Sequence, residues 1–169
     1  MKLENLSFSQ REELERYFNG ERKVDLETVK GGKLSVDGDF SREVKTGASL
    51  TNYAVGGQKF IQSSSEFKFA GISITKTKVS GSYNTEPGVG ATQILSHQCT
   101  VEHNYQPLTK VNTQKGDAYA NGGEATFLCS VEVTRGVPTP WGDVNWSTRN
   151  ATQGVVGNGD GVVVKEGWM

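Results

Sequence analysis

From Val24 onward, apolar side chains recur at every second position in short runs, and most runs end in a glycine pair or an Asp-Gly or Asn-Gly step. A period of two puts alternate side chains on opposite faces of an extended strand, so each run can bury one face and wet the other. The glycine steps accept the positive φ of tight hairpin turns. Val24, Leu26 and Thr28 alternate with charged residues before Gly31-Gly32, and Leu34 and Val36 alternate before Asp37-Gly38. Gly56-Gly57 separates 50–55 from 58–62, and Asn121-Gly122-Gly123 precedes the alternating run 124–134. A last hairpin is expected from 153–156 and 162–165 around Gly157-Asn158-Gly159-Asp160-Gly161. About eight to ten short strands predict a mainly β fold, an antiparallel β-sandwich or barrel with a jelly-roll among the options.

Three stretches interrupt the pattern. Between 66 and 80, Phe67 and Phe69 hold one phase and Ile72 and Ile74 the other, which predicts a bulge or bend at Gly71. The segments 84–91 and 136–142, with Pro87, Pro138 and Pro140, read as loops.

One helix is expected in front of the strands. Ser9 and Glu12 have capping-box spacing, Leu14, Tyr17 and Phe18 share a face, and Asn19-Gly20 supplies a stop, which predicts a helix over 9–19. Its apolar stripe is two turns long and must dock on the chain's own β-body or on a neighbouring subunit. The resulting division is an N-terminal helical arm, 1–22, and an antiparallel β domain, 23–169, in a chain of 169 residues that makes one domain overall.

A formal net charge of −1 gives no field to gather nucleic acid. Nineteen of the 37 Lys, Arg, Asp and Glu residues lie within positions 1–45, so the β-body has a polar but charge-poor surface. Lys2 and Glu4 interrupt the opening ten residues, and no apolar run approaches about 18 residues. The expectation is synthesis in the cytoplasm without a signal peptide, and no transmembrane segment. That compartment predicts two free, buried thiols at Cys99 and Cys129.

His97, Cys99 and His103 alternate onto one face of an expected strand, and Cys129 lies on the apolar phase of another. If those strands met, imidazoles and thiolates would converge as they do around zinc. Leu95, Val101, Phe127 and Val131 share these faces, no CxxC or HxxxH spacing is present, and the residues read as core, so neither metal nor cofactor is predicted. A catalytic triad would have to draw its base from His97 or His103, and Glu102, adjacent on a strand, points away from His103. Gly157 to Gly161 lacks the Lys-Ser/Thr ending of a phosphate loop, and Lys76 with Lys78 makes a small solvated spot. Trp141, Trp146 and Trp168 all fall in the last 29 residues, with Trp141 in the Pro-rich loop.

These features predict a non-enzymatic structural or assembly subunit, such as a capsid decoration or tail component of a virus of bacteria. Its partners would be proteins, itself or a larger assembly. Leu14, Tyr17, Phe18, Trp141 and Trp146 are the candidate contact residues. The alternatives are a carbohydrate- or membrane-binding β-sandwich module, of the kind seen in small pore-forming toxins, and a small metal-dependent or hydrolytic enzyme.

Overall fold

The structure is a computed structural model, and it describes residues 3–24, 26, 34–48 and 57–169. The expected turns at Gly31-Gly32 and Gly56-Gly57 fall wholly or partly outside these residues. One helix, α1 (Phe8–Phe18), precedes nine strands: β1 (Leu34–Asp37), β2 (Phe40–Ala48), β3 (Gly57–Phe69), β4 (Ile72–Glu86), β5 (Gly90–Asn104), β6 (Thr109–Asn121), β7 (Glu124–Pro138), β8 (Val144–Gly157) and β9 (Val163–Trp168). They form two antiparallel sheets in simple meander order, β1-β2-β3-β4-β5 and β6-β7-β8-β9, stacked as a sandwich. Neither barrel closure nor a jelly-roll crossover occurs among the described strands, because every hydrogen-bonded neighbour is also the neighbour in sequence.

Local chemistry explains most boundaries. The helix starts one turn-position earlier than expected because Ser7, not Ser9, is the N-cap: its hydroxyl accepts from the Gln10 amide while the Gln10 side chain accepts from the Ser7 amide. Ala70-Gly71 is a hairpin turn, not a bend within one strand, and both residues have positive φ, 48° and 78°. A separate register shift in the β3–β4 ladder leaves Ile74 as the extra residue on β4, which accounts for the second half of the phase change. Pairing also consumes much of the two expected loops, since β4 and β5 run to Glu86 and from Gly90, and β7 reaches Pro138.

The interior has two apolar clusters with a polar belt between them. Ile61, Val79, Tyr83, Ala91, Ala125, Phe127, Cys129 and Val155 pack together where both sheets face each other. Gly81 makes room there: a Cβ on it would lie 2.2 Å from a Phe127 ring carbon. The belt comprises Ser63, Ser65, Thr77 and Gln153. Fully buried Gln153 accepts from the Thr77 hydroxyl at 2.8 Å and donates to the Ser63 and Thr77 carbonyls at 3.4 Å each, and Trp168 Nε1 donates to Ser65 Oγ at 3.0 Å. These bonds offset the cost of burying an amide between the sheets.

The second cluster lies under the helix. Leu6, Leu14, Tyr17 and Leu26 pack on Phe40, Phe67, Phe69 and Ile74 of the first sheet. Arg22 ties the end of this segment down, bonding Asp37 at 2.7 Å and Glu13 at 3.4 Å. The helix therefore docks on the chain's own body.

Gly81→Ala should lower unfolding stability by about 1–3 kcal/mol through overpacking against Phe127. Gly47→Ala, whose Cβ would meet only the movable Gln62 side chain, should cost far less. Urea denaturation of both variants checks this, and equal losses would contradict it.

Candidate functional site

The helix covers part of the first sheet that the second sheet leaves bare. Tyr17 is held from three sides: its ring packs on Phe40 and Phe67, its hydroxyl donates to Gln106 at 3.0 Å, and Arg135 of β7 stacks over the ring at 4.2 Å while donating to the Tyr17 carbonyl. Burial pushes the Tyr17 phenol above its ordinary pKa, against the opposing pull of Arg135 and Arg42. Leu14 and Tyr17 are thus enclosed by this chain and are not available as surface contacts in this conformation, whereas Phe18 beside them is partly buried.

The two tryptophans are placed differently. β9 pairs with β8 only from Gln153 to Gly157, so over 144–151 the outer edge of β8 has no neighbouring strand among the described residues. Residues 145–151 are exposed on both faces. The β7 half of this hairpin is still paired with β6 and packs through Arg135 and Val137 on the helix segment, whereas its β8 half, among the described residues, is paired with a strand on the β7 side alone. Trp146 sits on it, 56% exposed, opposite Gly136 of β7, whose missing side chain lets the indole lie across the backbone. Thr134 and Thr148 hydroxyls join across the same pair at 3.0 Å.

At the tip, the Thr139 amide donates to the Asp143 carbonyl at 2.8 Å and Gly142 has φ 90°. Pro140 fixes the first turn position and Gly142 supplies the left-handed one, leaving Trp141 between them. Trp141 is 88% exposed. Trp168, by contrast, is half-buried, bonded to Ser65 and covered by the Arg42 guanidinium at 5.3 Å from the ring. Phe8 is a further exposed aromatic, 80% accessible at the first position of α1, that the sequence reading passed over because it lies off the apolar stripe.

The cysteines overturn an expectation. Cys99 of β5 and Cys129 of β7 form a disulfide between the two sheets, with Cα atoms 5.8 Å apart, and no described cysteine is free. The expectation of free thiols came from compartment alone; what decides is that β5 stacks over β7. His97 faces the same bond, its Nε2 3.6 Å from Cys99 Sγ and 3.9 Å from Cys129 Sγ. Burial and the charge of Lys115 push the His97 pKa down, and a backbone contact with Leu128 works the other way.

His103 does not join them. The ladder skips Glu102 between His103 and Val101, and this extra residue turns His103 to the side of Ser73, whose hydroxyl lies 2.6 Å from its Nε2, with Tyr105 stacked on the ring. Among the described residues no carboxylate orients that imidazole. Glu102 instead bonds Lys76 at 2.8 Å and Lys78 at 3.1 Å, which lowers its carboxyl pKa. Leu95 is likewise swung out by a bulge, exposed rather than in the core.

Among the described residues no helix is long and apolar enough to cross a membrane. Compared with protein-family models, curated proteins and solved structures, the chain matches none.

The disulfide closes a loop spanning sequence separation 30, and cross-links of this kind contribute about 2–4 kcal/mol. Reduction should lower the urea midpoint accordingly. Thiol titration in denaturant should find no free thiol before reduction and both after it. Two titratable thiols in the unreduced chain would contradict the pairing.

Proposed function

We propose that this protein is a non-enzymatic assembly subunit that joins other protein chains through the β7–β8 hairpin. The observation that carries the reading is the β8 edge over 144–151, which no strand among the described residues pairs, with 145–151 exposed, Trp146 within it and Trp141 just before it. An unpaired strand edge presents a row of backbone donors and acceptors whose natural complement is another strand. Aromatic side chains are enriched in the centres of protein interfaces. The charge-poor β-body fits the same role. A capsid or tail lattice of a virus of bacteria is the setting this reading favours.

A second copy is the occupant this reading favours for the edge. If two such edges pair antiparallel about a twofold axis with Trp146 opposite Trp146, then Val144 meets Thr148 and Asn145 meets Ser147. The pairing sets two indoles at the centre, which is favourable across a ladder. Isologous contacts of this kind are the commonest route to a symmetric oligomer.

A second reading rests on Trp141, whose exposure at a rigid Pro-Gly turn suits stacking on a sugar ring or entry into a membrane interface.

Light scattering on the full chain across a concentration series separates the two. The assembly reading predicts a dimer or larger particle for the wild type and a monomer for Trp146→Lys, which sets two like charges face to face. A wild type that stays monomeric throughout defeats self-assembly. Binding of glycan arrays or anionic vesicles by that monomer, lost in Trp141→Ala, would establish the second reading in its place.

A further inference from the structure

His97, Cys99 and Cys129 place one nitrogen and two sulfurs within 4.8 Å of one another. Two of the three spacings already match a metal site. With bonds of about 2.3 Å to sulfur and about 2.0 Å to nitrogen, a tetrahedral zinc ion needs sulfur-to-nitrogen edges of about 3.6 Å. The observed edges are 3.6 and 3.9 Å. Only the sulfur-to-sulfur edge must open, to about 3.8 Å, which side-chain rotation can supply with the strands left in place.

We propose that the reduced chain binds a thiophilic cation, zinc or its tetrahedral equivalent, through His97 Nε2, Cys99 Sγ and Cys129 Sγ, with water as the fourth ligand. The disulfide and the metal centre are then alternative staples between the same two strands, β5 and β7. The exchange is balanced as follows. A dithiol reductant gives two electrons and two protons to the Cys99–Cys129 bond and itself closes to a disulfide. The cation then displaces one proton from each thiol, forms two metal–sulfur bonds and one metal–nitrogen bond, and releases two protons to solvent.

The surroundings favour that chemistry. Lys115 stands opposite Cys129 in the β6–β7 ladder, and a nearby ammonium stabilises thiolate over thiol. Phe127 packs against the His97 ring, centroids 5.7 Å apart, and restricts its rotation. Cys129 is enclosed while His97 and Cys99 are half-buried, so an ion can enter from the β5 side.

The test is cobalt titration of the full chain after reduction and anaerobic removal of the reductant, with far-ultraviolet circular dichroism of the same samples. The expected result is one equivalent bound with a sulfur-to-cobalt charge-transfer band, discharge of that band by zinc, and no band in the oxidised chain. His97→Ala should weaken cobalt binding by about tenfold or more, while its oxidised form keeps the wild-type β-signature because the disulfide holds the strands. No charge-transfer band at excess cobalt overturns the proposal. An unchanged affinity in His97→Ala overturns it too, as does a reduced chain that loses its β-signature and does not regain it with zinc.

Discussion

At one end of the sandwich the inner face of the first sheet packs on the helix segment in place of the second sheet, and the rest of the molecule is arranged around that substitution. The inner face of β3 carries Ile61, Ser63, Ser65, Phe67 and Phe69 in unbroken alternation, and the apolar surface continues through Phe40 and Ile74. The second sheet covers the Ile61 end. It does not cover the Phe67 end, and leaving four large apolar side chains wet would cost several kcal/mol, at about 1.5–3 kcal/mol for each. Leu14 and Tyr17 of α1, with Leu6 and Leu26, provide the missing cover. Beside it, β7 packs on the helix through Arg135, and residues 145–151 of β8 are left exposed.

The belt of Ser63, Thr77 and Gln153 marks where one kind of cover gives way to the other. Its hydrogen bonds fix the register of sheet on sheet, since a slide of either would leave the Gln153 amide unpaired in a dry interior. Level with the belt, where Cys129 lies opposite Gln153 and Cys99 is on the same ladder row as Ser63, the Cys99–Cys129 bond pins β5 to β7. Between them these two contacts determine which strands end up facing each other, and therefore which side chains are left at the surface.

Period-two alternation and glycine steps made the β fold, the hairpins at Asp37-Gly38 and Asn121-Gly122-Gly123 and the terminal β8–β9 hairpin legible in advance, because they are local signals. What the sequence hid is what depends on pairing between distant strands. His97 and His103 have the same parity, yet one extra residue at Glu102 sends them to different places. Cys99 and Cys129 give no spacing signal at all; they meet because their sheets stack. Ala70-Gly71 misled for a different reason, since a turn and a bulge both reverse the apolar phase and only the pairing of β3 with β4 separates them. Trp141 and Trp146 stood out from composition, whereas the open edge beside them follows from how short β9 is, which nothing in β8 itself announces.

A β8 edge that no strand among the described residues pairs, with Trp141 and Trp146 exposed beside it, is the feature of this fold least explained by the needs of folding. Amide hydrogen exchange resolved to individual residues tests that account most directly. In dilute solution, edge-facing amides within 145–151 should exchange much faster than those of 153–157, and they should become protected as the protein is concentrated into its assembly. Slow exchange of 145–151 in the dilute chain, or rates that stay the same on concentration, would contradict it.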